Sequence, residues 1–257
     1  MARTHRFATP EGEVWLTAET DPRAATDAPF VLVVAGAFAV PRPRIFGLEA
    51  HLPEATVACA HLPGNHSPAL REHSLAAYAR AYDAVLNDVG RPAVVVGASI
   101  GGVTSLAMQS RWLKGRILVD PPLVTGKLWP LIAPFRRRLA AAPNDAALRA
   151  FLWNLMGLSE SEAPGCDYRS LLAGLNGPAW VLCGSQPLMP PRPIAELPSL
   201  VDEPERAAFR RLPGVRLEVM EGAGHNLKGR WLQSVAAAAR DLLAAGDGRR
   251  APIEGVG

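Results

Sequence analysis

Ser99 stands in Gly97-Ala98-Ser99-Ile100-Gly101-Gly102, directly after the β-branched run Val94-Val95-Val96. A serine hydroxyl is a weak nucleophile unless a base removes its proton and nearby donors stabilise the charge that develops. The G-x-S-x-G spacing suits that task when a strand precedes it and a helix follows. The turn is sharp enough to put the nucleophile in a strained backbone conformation. The residues two before and two after it must then lack side chains, and Gly97 and Gly101 fill those places. The helix N-terminus behind Ser99 offers backbone N–H groups and the positive end of a dipole to an oxyanion. The same pattern arises by accident in glycine-rich turns, and the strand before it argues against that here.

His225 is the matching base. It lies in Glu221-Gly222-Ala223-Gly224-His225-Asn226, after the last strand-like run and before a closing helical pattern. A loop at that point can bring an imidazole over a serine. The base in turn needs a carboxylate at Nδ1, and the end of a strand fixes one better than a mobile loop does. Asp120 meets that condition, with Pro121-Pro122 stiffening its exit. An Asp before Pro is also a common turn starter. Glu196, Asp202 and Glu203 remain open as alternatives.

The elements that must hold these residues alternate between strand and helix, the signature of a largely parallel sheet with crossover helices. The spacing predicts strands over Phe30–Ala35, Ala55–Ala60, Ala93–Val96, Arg116–Val119, Ala179–Cys183 and Val215–Met220, with Val14-Trp15-Leu16 in an opening hairpin. Helices are expected over Ser74–Asn87, near 203–211 and near 228–245. Leu75, Tyr78, Ala79, Tyr82, Val85 and Leu86 form one apolar stripe. Residues 121–178 break the alternation with helical stretches near 128–141, 144–157 and 166–175. They carry Trp129, Phe135, Phe151 and Trp153, and read as a helical cap inserted between two strands. The expected organisation is a core of 1–120 and 179–245, a cap of 121–178 and a flexible tail of 246–257.

The chain resembles the α/β-hydrolase superfamily from about residue 30 to 245. The resemblance rests on Val34-Ala35-Gly36-Ala37-Phe38, the turn Leu62-Pro63-Gly64-Asn65-His66-Ser67, the elbow around Ser99, and Gly222-Ala223-Gly224-His225, in that order. It implies an α/β fold with a mostly parallel sheet and an order of nucleophile, acid and histidine along the chain. It also implies an oxyanion hole from the N–H groups of Ala37 and Ile100. Two departures stand out. Ala35 replaces the usual His before Gly36, which alters the wall beside the donor and not the backbone donor itself. Gly184-Ser185-Gln186-Pro187 lacks the carboxylate of the usual Gly-x-x-Asp, whereas other members carry the acid after the preceding strand, where Asp120 stands. The implied activity is hydrolysis of a carboxylic ester or related acyl bond through an acyl-Ser99 intermediate, with no cofactor. A serine at the elbow argues against dehalogenase and epoxide hydrolase chemistry, which uses aspartate there. Thioester, lactone and C–C bond hydrolysis remain alternatives, as does a binding protein without turnover.

Composition narrows the remainder. With 257 residues, nearly half apolar, one large domain is expected. Net charge is +3, and the basic residues are almost all Arg, with Lys only at 114, 127 and 228. Arg136-Arg137-Arg138 has no interleaved aromatics and reads as a solvated helix face, so neither nucleic acid nor membrane is an expected partner. No apolar run is long enough to span a bilayer and no signal peptide is visible, which points to a cytoplasmic protein. Three cysteines without C-x-x-C suggest free thiols, Cys59 and Cys183 in buried strands. His51, His61, His66 and His73 match no zinc spacing. Arg42 and Arg44 follow the Phe30–Ala35 strand and could hold an anionic group, although solvation is the plainer reading. A small acyl substrate is the expected partner, with a homodimer left open.

Overall fold

The computed structural model describes residues 2–40, 47–175, 177–227 and 231–247, without the side chains of 245–247. Arg42 and Arg44 therefore lie outside the described residues.

Eight strands form one sheet in the order β1-β2-β4-β3-β5-β6-β7-β8. β1 (Arg3–Thr9) and β2 (Gly12–Ala18) make an antiparallel hairpin, and β2 runs antiparallel to β4 (Thr56–Ala60). β3 (Phe30–Val34), β5 (Ala93–Ala98), β6 (Leu113–Val119), β7 (Ala179–Gly184) and β8 (Val215–Met220) are parallel to one another and to β4. This is the mostly parallel α/β sheet that the alternation of strand and helix predicts. The hairpin is longer than the Val14–Leu16 expectation. β1 alternates polar and apolar weakly, and only Phe7 and Ala8 offered a signal there.

The continuous apolar runs of β3 and β5 follow from burial on both faces. Leu32, Val34 and Val95 face the helix α2 (Leu75–Val89), which presents Tyr78, Tyr82, Val85 and Leu86. Their neighbours Val31, Val33, Val94 and Val96 face α7 (Trp231–Asp247) through Val235, Ala236, Ala239 and Leu242. The period of two in the strands thus divides one valine-rich sequence between two cores. Ser74 caps α2, its hydroxyl accepting from Ala77 N–H at 3.1 Å. A four-residue helix α1 (Leu48–His51) precedes β4, and α3 (Ile100–Ala107) follows β5.

Between β6 and β7 the chain carries a 3₁₀ turn (Thr125–Lys127), α4 (Trp129–Ala141), α5 (Ala146–Met156) and a second 3₁₀ turn (Arg169–Gly174). The expected helix over 166–175 is thus only this six-residue turn, held at its start by the bridge between Val124 and Asp167. Pro134 lies inside α4, and Phe135 and Leu139 bury their side chains immediately after it. Arg136 donates to Ser159 and Ser161 carbonyls, and Arg138 lies 4.0 Å over the Phe38 ring, so the basic run is more engaged than a plain solvated face. α6 (Glu203–Arg210) precedes β8. α7 continues two residues into the stretch expected as tail, carried by its alanine-rich sequence; 248–257 lie outside the described residues.

Candidate active site

The parallel strands end together on one edge of the sheet, where ligands collect in open α/β folds. Ser99 leaves β5 at φ 55° and ψ −126°. The glycines explain how this turn closes. A Cβ on Gly97 would lie 2.5 Å from Gly101 O, and one on Gly101 would lie 2.3 Å from Val34 O. No side chain fits at either place. Gly102 and Val103 N–H groups donate to Ser99 O, starting α3 at once. The half-buried hydroxyl sits above that helix end.

Asp120 follows β6, fully buried, at φ 47°. Its Oδ1 accepts from Ser199 Oγ at 2.5 Å, and its Oδ2 accepts from Leu200 N–H at 2.8 Å. The same Oδ2 lies 2.6 Å from His225 Nδ1. A carboxylate only accepts, so Nδ1 is the donor, and in the neutral imidazole Nε2 is then the acceptor. Three backbone features bring His225 there. Gly184 and Gly224 allow close passage, since a Cβ on either would meet a carbonyl at 2.2 Å, Ala223 O and Leu197 O respectively. His225 N–H also donates to Leu197 O at 2.9 Å.

Ser99 and His225 line one cavity of about 430 Å³. Its wall is mainly apolar, with Ala39, Val119, Leu131, Phe135, Leu197 and Trp231 among the lining residues. Gly36 and Ala37 border the same space, and a Cβ on Gly36 would come within 3.1 Å of the Ser99 Cβ. The turn after β3 is pinned by Phe38 N–H donating to Asn65 Oδ1 at 2.8 Å and by Ala39 N–H donating to Gly36 O at 3.2 Å. Among the described residues neither bond uses Ala37 N–H. Phe38 itself is at φ 62°, and its ring meets those of Phe135 and Phe151 edge-on, each at 5.6 Å between centroids.

Asp202 and Glu203, the alternative acids, are engaged elsewhere. Asp202 caps α6 and pairs with Lys127 at 2.6 Å, while Glu203 pairs with Arg210 at 2.5 Å. Glu196 is exposed. Burial pushes the Cys59 thiol up to about 12 and the Cys183 thiol up to about 11, so neither rivals Ser99 as a nucleophile. His61 bonds Thr17 and the His66 carbonyl, and His73 bonds Tyr78, which ties both to the frame. Of the expected cap aromatics only Phe135 lines the cavity; Phe151 is buried beside it, Trp129 donates to Leu188 O, and Trp153 is exposed. The supports that the sequence did not single out are Asn65, Phe38 and Ser199. Ser199 left one signal, a lone hydroxyl in the apolar stretch Leu197-Pro198-Ser199-Leu200-Val201.

A family model described as "Alpha/beta hydrolase family" matches residues 30–242. The comparison with curated proteins gives no match. Among solved structures, the chain is similar to a carboxylesterase from Bacillus subtilis, with TM-score 0.66 and 14% identity over 95% of this chain and 92% of that one. It is similar to a thermophilic esterase from Thermogutta terrifontis, with TM-score 0.63 and 21% identity over 95% and 99%. A proline iminopeptidase from Mycobacterium smegmatis matches with TM-score 0.63 and 16% identity over 96% and 100%. At these identities the likeness is one of fold.

Proposed function

The chain belongs to the alpha/beta hydrolase family, and from that premise we propose that it is a serine hydrolase of carboxylic esters, acting through an acyl-Ser99 intermediate. The observation that carries the reading is the 2.6 Å contact of Asp120 Oδ2 with His225 Nδ1, beside a strained Ser99 in the same cavity. Asp120 holds the Nδ1–H tautomer, which leaves Nε2 to take the Ser99 proton as the hydroxyl attacks the ester carbonyl. The Ile100 and Ala37 N–H groups receive the oxyanion. His225 then returns the proton to the leaving alcohol, and a water activated by the same imidazole releases the acid. None of these steps calls for a cofactor.

The reading of a binder without turnover rested on the missing carboxylate after β7. Asp120, arriving from β6, weighs against it. Esterases stand among the fold neighbours, and the apolar wall suits an uncharged acyl or alcohol group. The segment 121–178 acts in this reading as a cap, with Leu131 and Phe135 of α4 forming part of the wall. Among the described residues no helix is long and apolar enough to cross a membrane. A cytoplasmic setting is our proposal for where the enzyme works.

A fluorophosphonate probe and a series of p-nitrophenyl esters test the proposal. Labelling of one residue, lost in Ser99→Ala together with ester turnover, is the expected result. Unlabelled protein, or unchanged turnover in Ser99→Ala, would overturn it.

A further inference from the structure

After β7 the chain turns at Gln186 and passes through a proline-rich stretch. It returns as Leu197–Leu200, a short strap pressed beneath the acid. The strap touches both partners of Ser99. Leu197 O accepts from His225 N–H at 2.9 Å, Leu200 N–H donates to Asp120 Oδ2 at 2.8 Å, and Ser199 Oγ lies 2.5 Å from Asp120 Oδ1. The strap is itself anchored, since Ser199 N–H donates to Gln186 O at 3.1 Å, and Gln186 N–H to Ala223 O at 2.9 Å in the histidine loop.

We infer that Ser199 is a positioning residue for the reaction at Ser99, working through Asp120; the inference rests on the function proposed above. A hydroxyl has one proton to give. Two acceptors are in range, Asp120 Oδ1 at 2.5 Å and Val201 O at 3.2 Å, and the charged, nearer one takes it. Val201 N–H donates to Ser199 Oγ at 3.3 Å, which helps to set the hydroxyl's rotation. Both residues are fully buried, so no water stands ready to replace the bond.

The bond has a geometric purpose. The backbone of Asp120 is fixed at φ 47° at the end of β6, yet its carboxylate can still turn about the Cα–Cβ and Cβ–Cγ bonds, so contacts at the oxygens must set its plane. Leu200 N–H and His225 Nδ1 both meet Oδ2. Ser199 is the described partner of Oδ1, and its pull sets the rotation of the carboxylate plane about the Cβ–Cγ bond. Without it the plane can turn, and the imidazole loses the alignment that points Nε2 at Ser99. Ser199 touches no reacting atom, and its effect falls on turnover rather than on substrate binding.

A double-mutant cycle tests the inference. Ser199→Ala, Asp120→Asn and the double variant are compared in kcat and KM for one ester, with folding checked by circular dichroism. Ser199→Ala should lower kcat about tenfold to a hundredfold with KM within about twofold, the size of a lost hydrogen bond to a charged group. Ser199→Thr, which keeps the hydroxyl, should restore most of that loss. In the Asp120→Asn background the same change should cost less than about threefold, because the residue it works through is gone. Should Ser199→Ala fail to fold, Ser199→Cys, of similar shape and a weak donor, takes its place with the same expectation. Unchanged kcat in Ser199→Ala beside a crippled Asp120→Asn would overturn the inference alone. An equal loss in both backgrounds would do so too, revealing a purely structural effect. Full activity in Asp120→Asn would overturn the acid assignment, and with it the inference.

Discussion

Asn65 Oδ1 accepts the Phe38 N–H at 2.8 Å, tying the loop after β4 to the turn after β3. Phe38 holds a left-handed backbone, φ 62°, between this bond and the rings of Phe135 and Phe151. The Ala37 N–H assigned to the oxyanion is one residue away. Asn65→Ala should therefore lower kcat for esters about tenfold, short of the 10²–10³ seen when an oxyanion donor is removed outright. KM should change little. Steady-state kinetics decide it, and an unaltered kcat would detach Asn65 from the turn's function.

Ser99 holds a strained backbone, which the proposed mechanism uses to present its hydroxyl. Replacing it by glycine relieves φ 55° at no steric cost, whereas alanine keeps the strain. Ser99→Gly should be more stable than Ser99→Ala by roughly 1 kcal/mol, and neither should turn over substrate. Urea midpoints of the two variants measure the difference. An alanine variant as stable as the glycine variant would mean that the elbow stores no strain.

Leu131 lines the cavity from α4 without taking part in the aromatic contacts around Phe38. Leu131→Trp should narrow the space. The expected outcome is a loss of about tenfold or more in kcat/KM for long acyl esters, against less than about threefold for acetate, as pocket-filling groups are worth 1–3 kcal/mol. Equal losses for every chain length would place the acyl chain elsewhere.

Glu205 is buried under the junction of α6 with the 3₁₀ turn at Lys127. It accepts from Val124 N–H at 3.0 Å and pairs with Lys127 at 3.1 Å. Burial pushes its carboxyl up to about 7, partly opposed by Lys127. A raised carboxyl holds its proton more tightly folded than unfolded. Its contribution to stability is full below the ordinary carboxylate value and is lost as pH rises through about 7. Relative to wild type, Glu205→Gln should therefore gain stability between pH 5 and 8, by an amount on the order of 3 kcal/mol. Burial pushes His61 and His73 down, so their contribution runs the other way and is lost as pH falls below the ordinary imidazole value. Because the two slopes oppose each other in wild type, denaturation of both proteins across the pH range is the measurement. A constant difference between them would refute the Glu205 assignment.

The sheet was legible because buried parallel strands write themselves as valine runs, and Gly97 and Gly101 announced a turn that admits no Cβ. Ser99 and His225 could be named from that context. The acid stayed open among Asp120, Glu196, Asp202 and Glu203, since a strand-end Asp before proline looks the same whether it starts a turn or faces an imidazole. The structure places Asp120, and not the other three, against His225, and a contact spanning 105 residues leaves no local trace. Asn65 and Phe38 were visible within motifs, yet the 27-residue span of their bond hid the role of each. β1 was under-read because an edge strand with an exposed face has a weak pattern.

Ser99 N–H donates to Val119 O at 2.8 Å and Asp120 N–H donates to Leu182 O at 2.7 Å, so the residues proposed as nucleophile and acid are rungs at the end of the sheet's own ladder. Their spacing is as durable as the central strands. His225 instead lies in the Gly222–Leu227 loop, which is held from outside the sheet by bonds to Ser185, Gln186, Leu197 and Asp120. Local openings begin in such loops at lower free energy than global unfolding. In the proposed enzyme, warming should therefore disarm the site before it melts the protein: activity followed against temperature should fall below the unfolding transition and return on cooling, because the sheet keeps the place to which the histidine returns.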